Sequence, residues 1–102
     1  MSDYVYLWQY RVAREQAAAF EKTYGPHGEW VRLFRRAQGY LGTELFRDGT
    51  EPTCYVTLDR WRSRQDFEAF RARCSEEFEA LDARCEMLTL EQRELGHFER
   101  VE

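Results

Sequence analysis

The sequence contains no asparagine and no isoleucine, and it has one lysine, two prolines and two histidines among 102 residues. It also has no run of about 18 apolar residues, so we expect no membrane-spanning helix. The first ten residues lack the basic and apolar regions of a signal peptide, and we expect a cytoplasmic protein. A net charge of −4 argues against a nucleic-acid partner. The absence of asparagine also removes one kind of catalytic side chain.

Cysteine is scarce too, and the three residues are Cys54, Cys74 and Cys85. Their spacing fits no zinc-binding pattern, and only His27 and His97 are available to complete one. Cys74 and Cys85 are eleven residues apart on a predicted helix. That separation is about 16 Å at 1.5 Å per residue, which is too far for a disulfide. We therefore predict reduced, at least partly buried thiols and no metal site; a catalytic thiol is the alternative.

What the sequence does contain is a globular balance of 43% hydrophobic, 16% aromatic and 33% charged residues. Alternating apolar residues predict strands, and apolar residues at intervals of three and four predict helices. The predicted strands cover residues 4–12, 40–48, 53–61 and 93–101, and the predicted helices cover residues 14–24, 29–37 and 64–88. This β-α-β-β-α-β order predicts one ferredoxin-like α+β domain over residues 1–102, with helices on one face of an antiparallel sheet.

Period-two alternation assigns the strand residues to two faces of this sheet. The first face is predicted to hold Tyr4, Tyr6, Trp8, Tyr10, Tyr40, Glu44, Phe46, Tyr55, Thr57, Asp59, Trp61 and Phe98. The second face is predicted to hold Val5, Leu7, Gln9, Arg11, Leu41, Thr43, Leu45, Cys54, Val56, Leu58, Arg60, Leu95 and His97. We expect the aromatic first face to pack on the helices, because Trp61 directly precedes the long helix. The second face is also apolar, so we expect a second copy to cover it in a homodimer.

Large rings from a sheet and its helices seldom fill space completely, so we expect an apolar pocket between them that takes a small molecule. The alternative is that these rings simply fill the core. Asp59 is the first candidate for a catalytic base, because burial would raise the pKa of its carboxyl group. Glu44 is the second candidate, and the alternative for Asp59 is an ion pair with Arg60 or Arg62. Further candidates for ligand contact are His27 at the helix break and, on the first face, Trp8, Tyr10, Tyr55 and Trp61.

Three segments of the chain carry a family likeness. They are Tyr24-Gly25-Pro26-His27-Gly28, Gly39-Tyr40-Leu41-Gly42-Thr43-Glu44-Leu45, and Leu58-Asp59-Arg60-Trp61-Arg62-Ser63 followed by Phe67. In this element order they resemble the antibiotic biosynthesis monooxygenase superfamily, the dimeric α+β barrels. The resemblance implies a homodimer formed by the sheets, with a pocket in each subunit between sheet and helices. Some members oxidise phenolic or quinol-type aromatics with O₂ and use no metal or flavin.

A different branch of that superfamily degrades haem with an asparagine on the first strand and a tryptophan and a histidine on the second long helix. This sequence has no asparagine, has Phe70 at the tryptophan position and has no histidine in residues 64–88. The resemblance therefore points away from haem degradation and makes Phe70 a further candidate for ligand contact. Cofactor-free members use Trp, Tyr, Asn and Arg around a phenol, and Trp8, Tyr10, Tyr55 and Trp61 are of the right kinds.

The resemblance implies a monooxygenase that acts on a small aromatic or quinol-like molecule and needs no cofactor. Such an enzyme must ionise its substrate, because an electron-rich phenolate can pass an electron to O₂. Ionisation requires a base in a mostly dry pocket, and Asp59 is the leading candidate. The alternative function is a non-catalytic dimeric module that binds the same kind of small molecule.

Overall fold

The computed structural model describes residues 3–101. The strands are β1 Tyr4–Arg11, β2 Tyr40–Arg47, β3 Cys54–Trp61 and β4 Glu91–Glu99, and the α-helices are α1 Ala17–Tyr24, α2 Glu29–Phe34, α3 Arg64–Arg73 and α4 Ser75–Cys85. The strands form one antiparallel sheet in the order β2-β3-β1-β4. This arrangement confirms the predicted ferredoxin-like α+β fold. Within residues 3–101, no helix is long and apolar enough to cross a membrane.

The helix predicted over residues 64–88 is interrupted at Cys74, where the backbone angles of φ −111° and ψ 28° are not helical. Ser75 begins α4, and Glu76 and Glu77 lie in its first turn. Acidic side chains are favourable at a helix N-terminus because they face the positive end of the helix dipole. The prediction of one unbroken helix was therefore wrong, and this acidic pair was the signal that it overlooked.

The core is an aromatic layer between the sheet and the helices. Trp61 of β3 is completely buried, and its ring centroid lies 5.4 Å from that of Phe70 in α3. Phe20 of α1 is also fully buried and lies 4.7 Å from the ring of Tyr55 in β3. The aromatic face of the sheet therefore packs on the helices, as predicted. We call this face the helix side of the sheet.

Gly42 changes the register of β2. Tyr40 pairs with Trp61, but Gly42 pairs with Arg60, so one extra residue is inserted between these pairs. Gly42 has a φ of 149°, a positive value that L side chains rarely adopt. A β-bulge of this kind moves every following side chain to the opposite face of the strand.

Because of the bulge in β2, four residues lie on the face opposite to the one predicted for them. Thr43 pairs with Asp59 and lies on the helix side, and Leu45 follows two residues later on the same side. Glu44 pairs with Leu58 and lies on the opposite face, as does Phe46. The prediction had exchanged the two faces for all of these residues, because it assumed unbroken alternation through Gly42.

β4 contains a second bulge at Gly96, whose φ is 138°. His97 consequently pairs with Tyr6 and lies on the helix side, with its ring centroid 5.5 Å from that of Tyr6. Phe98 pairs with Val5 on the opposite face, where half of its surface is exposed. The predicted faces of His97 and Phe98 were therefore wrong for the same physical reason as those in β2.

The face away from the helices is apolar and uncovered within the described part of one chain. We call it the outer face and define it by Val5, Leu7, Glu44, Phe46, Val56, Leu58 and Phe98. Its strand-centre residues are half-buried, whereas Phe46 is 48% exposed. An apolar sheet face of this kind is a feature of surfaces that pack on another molecule.

All three cysteines are free thiols. Cys74 and Cys85 are buried, and Cys54 is half-buried. These positions agree with the predicted unpaired and at least partly buried thiols.

Candidate functional site

A cavity of about 280 Å³ lies between the helix side of the sheet and the helices. Its aromatic lining consists of Tyr6, Trp8, Tyr10, Tyr24, Trp30, Phe34, Phe67 and Phe78. Its polar lining consists of Thr43, Thr57, Asp59, Arg71, Asp82 and Gln92. A mostly apolar cavity with a few polar groups is the usual form of a site for a small molecule.

The sheet wall of the cavity is a row of rings from β1. Tyr6, Trp8 and Tyr10 lie on the helix side because they are two residues apart along the strand. The Trp8 ring centroid lies 5.9 Å from that of Tyr6 and 6.4 Å from that of Tyr10, with the rings close to parallel. This row gives the cavity an aromatic wall against which the ring of a small molecule can pack.

The helix wall is formed by rings from three helices. Trp30 of α2 and Phe78 of α4 meet edge to face, with ring centroids 4.9 Å apart. Phe67 of α3 packs edge to face on Tyr6, with ring centroids 5.1 Å apart. The two aromatic walls therefore enclose the space in which the polar groups lie.

Asp59 is a half-buried carboxylate in this lining, at the centre of β3. Burial raises its pKa to about 6, and a hydrogen bond from Thr43 partly opposes that rise. The Thr43 hydroxyl donates to Oδ1 of Asp59 over 2.7 Å, and a second hydrogen bond of 2.5 Å joins the hydroxyls of Thr43 and Tyr40. At pH 7 Asp59 is therefore mostly ionised and is a stronger base than an exposed aspartate.

The predicted alternative for Asp59, an ion pair with a neighbouring arginine, does not occur among residues 3–101. Arg60 contacts Asp3 at 3.4 Å and Glu44 at 3.0 Å. Arg62 contacts Asp66 at 2.9 Å. Both arginines are thus engaged elsewhere, and the raised pKa of Asp59 is a consequence of burial without a compensating cation.

Of the predicted aromatic contacts, Trp8 and Tyr10 line the cavity. Tyr55, Trp61 and Phe70 do not; they are buried in the core, with at most 2% of each residue exposed. The Tyr55 hydroxyl donates to Glu21 at 2.6 Å, away from the cavity. Trp61 and Phe70 pack on Phe34 of the lining, with ring centroids 5.7 and 5.4 Å away.

Two further predicted residues lie outside the cavity. Glu44 is on the outer face because of the bulge at Gly42, and it is exposed and paired with Arg60. His27 is exposed in a separate shallow groove beside Tyr40. The placement of Glu44 in the pocket was therefore wrong, and His27 does not reach the cavity.

The sequence reasoning missed the polar groups that the helices contribute. Arg71 follows Phe67 by four residues, and Asp82 follows Phe78 by four residues. Residues four apart lie on the same side of a helix, so each polar group shares the cavity wall with the ring before it. That spacing was the available signal, although both residues look like ordinary surface charges in the sequence.

Three lining residues carry a buried polar atom that has no hydrogen-bond partner among residues 3–101. These atoms are Nε1 of Trp30, Oγ1 of Thr57 and one terminal guanidinium nitrogen, Nη1, of Arg71. A buried donor without a partner costs about 1–3 kcal/mol, so native proteins rarely leave one without a function or a bound molecule to satisfy it. The cavity therefore presents unsatisfied hydrogen-bonding groups in an aromatic setting.

The tyrosines of the lining are neutral at physiological pH. Burial raises the pKa of Tyr6 to about 12 and raises the pKa values of Tyr10 and Tyr24 further. Their hydroxyls are consequently hydrogen-bonding groups and not bases. Asp59 and Asp82 are the two carboxylates of the lining.

Comparison with known proteins places this architecture in a family. The family model described as antibiotic biosynthesis monooxygenase matches residues 4–84. No curated protein sequence matches the chain significantly. A solved structure from Deinococcus radiodurans, named for the same family, superimposes with a TM-score of 0.74 at 15% identity, covering 97% of this chain and 93% of that chain.

Two solved structures from Streptomyces are similar as well. SnoaB from Streptomyces nogalater, described as a cofactor-independent oxygenase, superimposes with a TM-score of 0.63 at 17% identity and covers 100% of this chain and 94% of its own. A monooxygenase from the gene ActVA-Orf6 of Streptomyces coelicolor, solved with the ligand nanaomycin D, gives a TM-score of 0.71 at 16% identity, with coverage of 97% and 88%. At these identities the likeness concerns the fold.

Proposed function

Because the chain belongs to the antibiotic biosynthesis monooxygenase family, we propose that it is a monooxygenase that oxidises a small phenolic or hydroquinone-like aromatic with O₂ and uses no metal or flavin. The observation that carries this proposal is Asp59, a half-buried carboxylate with no cationic partner among residues 3–101, in the wall of an aromatic cavity. The cavity has the aromatic walls that an aromatic substrate needs, and Asp59 is the base.

The proposed role of Asp59 is to remove the phenolic proton. Its pKa of about 6 leaves it ionised at pH 7 and brings its basicity closer to that of a phenolate than an exposed aspartate would allow. Trp8 and Tyr10 hold the substrate ring by stacking on the sheet wall. The low polarity of the walls keeps water from competing for the carboxylate.

The proposed overall reaction balances without any other reductant. The phenolate gives electrons to O₂, a C–O bond forms on the ring, and the resulting peroxide loses water as its O–O bond breaks. A phenol with a free ring carbon and one O₂ then become one quinone and one water. The substrate supplies all the electrons, so the protein has to bind, orient and deprotonate.

The test is O₂ uptake by the purified protein with a panel of phenols, naphthols and hydroquinones. We expect uptake with at least one of them, and we expect Asp59→Asn to reduce the rate by about 10²–10⁴-fold. Glu44→Gln is the matched control, because it removes a carboxylate from the opposite face of the same sheet. Equal rates for wild type and Asp59→Asn would refute the assignment of the base.

The alternative is a module that binds the same kind of molecule without oxidising it. The unpaired polar atoms of Trp30, Thr57 and Arg71 favour ligand binding whether or not catalysis follows. Quenching of tryptophan fluorescence by the same phenols under argon would detect binding alone. Saturable binding by several phenols with no O₂ uptake by any of them would support the module in place of the enzyme.

We also propose that the outer face is covered by a second copy of the chain. The face is apolar at its centre, and its one central cation, Arg60, is already paired with Asp3 and Glu44 within the chain. A face whose central cation is already paired can meet its own copy across a two-fold axis without repulsion at its centre. The resulting homodimer would bring the two sheets together and leave each cavity on the helix side.

A further inference from the structure

Two hydroxyl groups connect Asp59 to the edge of the sheet. Thr43 lies opposite Asp59 in the strand register and donates to its Oδ1 atom over 2.7 Å. The hydroxyl oxygens of Tyr40 and Thr43 are 2.5 Å apart. Each hydroxyl carries one proton, and that of Thr43 goes to Asp59, so Tyr40 is the donor to Thr43. The chain of donors therefore runs from Tyr40 through Thr43 to Asp59.

The bulge at Gly42 makes this series of hydrogen bonds possible. Without the extra residue, Thr43 would lie on the outer face and its hydroxyl would not reach Asp59. Thr43 lines the cavity and also the shallow groove that contains Tyr40 and His27. Tyr40 does not line the cavity, and its ring is fixed by Phe34 and Trp61, with centroids 5.5 and 5.3 Å away. The series of hydrogen bonds thus begins outside the cavity, at Tyr40, and ends on the candidate base, Asp59.

We propose that Tyr40 and Thr43 are positioning residues for Asp59. Tyr40 fixes the Thr43 hydroxyl, and Thr43 occupies Oδ1 of Asp59, so that Oδ2 is the atom that receives the substrate proton. The catalytic part of this inference rests on the proposed function. The effect of the two hydroxyls on Asp59 does not, because it exists in the protein without substrate.

The physical consequence is a change in the proton affinity of Asp59. A hydrogen bond donated to a carboxylate stabilises the ionised form, so losing that bond raises the pKa of the carboxyl group. The loss of a bond to a charged group is worth about one pKa unit or more. Removing the Tyr40 hydroxyl raises the pKa of Asp59 by a smaller amount, since Thr43 still donates to the carboxylate. The other ionisable groups that line the cavity and stay constant in this comparison are Tyr6 and Tyr10 on β1, Tyr24 on α1, Arg71 on α3 and Asp82 on α4.

The experiment is a ¹³C NMR titration of the ligand-free protein with labelled aspartate carboxyl groups, in which Asp59 is assigned from its loss in Asp59→Asn. We expect Thr43→Val to raise the pKa of Asp59 by about one unit or more and Thr43→Ser to restore the wild-type value. Tyr40→Phe keeps the ring contacts, and we expect an intermediate value. Thr57→Val is the matched control, because it removes a buried hydroxyl that lies two residues from Asp59 on the same side of β3 and has no partner in the described residues, so the Asp59 titration should not change.

An unchanged Asp59 titration in Thr43→Val, or a serine variant that behaves like the valine variant, would overturn the proposal. If O₂ is consumed, the acidic limb of the kcat/KM profile should move to higher pH in Thr43→Val, in parallel with the NMR titration of Asp59. If no phenol is oxidised by the wild type, the proposed function fails while the titration still decides the role of the two hydroxyls.

Discussion

The guanidinium of Arg71 lies 3.8 Å above the ring of Phe78, on the helix wall of the cavity. This contact is a cation–π interaction. The buried Nη1 atom of Arg71 has no hydrogen-bond partner among residues 3–101. Trp30 meets the same Phe78 ring and carries a second unpaired donor. Two donors without acceptors are therefore grouped around one ring, across from the row of rings on β1.

We predict that Arg71→Met weakens ligand binding. Methionine keeps an apolar side chain over Phe78 but removes the donor, and a hydrogen bond from a charged group contributes about 1.5–3 kcal/mol, which corresponds to about a tenfold to hundredfold change in Kd. The measurement is fluorescence quenching by 1,5-dihydroxynaphthalene under argon. Arg73→Met, two residues along α3 and outside the cavity lining, is the control and should bind like the wild type. Equal affinities for Arg71→Met and the wild type would contradict the prediction.

We predict that Asp59→Asn makes the protein more stable at neutral pH. The pKa of Asp59 is raised to about 6 from an ordinary value near 3.8, so the folded state binds this proton more tightly than the unfolded state does. Wild-type stability therefore falls as the pH rises from about 4 to about 6, because the buried group must become charged. Asparagine removes that charge. Urea unfolding at fixed protein concentration should show a gain of about 3 kcal/mol at pH 7 and almost none below pH 4.

Asp48 is the control for Asp59→Asn, because its pKa is shifted in the opposite direction. Its carboxylate is exposed, and it accepts hydrogen bonds from the backbone N–H groups of Thr50 and Glu51 at 2.7 and 3.0 Å. These bonds lower the pKa of Asp48, so its charge is favourable in the folded state. Asp48→Asn should therefore give no gain in stability at pH 7. A similar gain in both variants would mean that the effect reflects net charge and not the burial of Asp59.

The order of the elements and the choice of the buried face were accessible from the sequence. The row of aromatic residues in β1 alternates without a break, and Trp61 comes directly before a helix. A ring at that position has to be covered by the helix that follows it. Alternation and local order therefore predicted which face of the sheet the helices cover.

The residues beyond each bulge were not predicted correctly, because alternation fails where a strand gains one residue. Glu44 and His97 both exchanged faces for this reason. A glycine inside a strand pattern is the known signal for a bulge, and Gly42 and Gly96 are such residues. The pattern does not say on its own whether a given glycine adopts a positive φ.

The cavity itself was predicted in kind but not in detail. Asp59, Trp8 and Tyr10 could be found because they share the aromatic face with Trp61. The spacing from Phe67 places Arg71 on the same side of α3 as that ring, but whether this side lines the cavity depends on how α3 lies across the sheet. Packing between elements far apart in the sequence decides that orientation, and no local pattern encodes it.

The bulge at Gly42 gives a prediction about backbone strain. No heavy atom outside its chain neighbours lies within 4 Å of a Cβ built on Gly42, so an added methyl group would meet open space. Its φ of 149° is unfavourable for alanine, and Gly42→Ala should lower the free energy of unfolding by about 1–2 kcal/mol. Gly49→Ala is the control, because Gly49 also has open space but no positive φ. It should stay within about 0.5 kcal/mol of the wild type in the same urea titration. A loss of similar size in both variants would show that the positive φ of Gly42 is not the cause.

The last prediction concerns the outer face. We expect the wild type to have close to twice the chain mass of 12.3 kDa by light scattering at micromolar concentration. Leu58 lies at the centre of the outer face, opposite Leu7 and Glu44, so Leu58→Glu places a charge where the two copies would meet. The variant should shift towards the monomer, because burying an unpaired carboxylate in a dimer interface is strongly unfavourable. Met87→Glu, at a residue that is 83% exposed outside the strands, is the control and should keep the wild-type mass. Circular dichroism will show whether Leu58→Glu is still folded, and a wild type that stays monomeric at every concentration would contradict the covering of this face by a second copy.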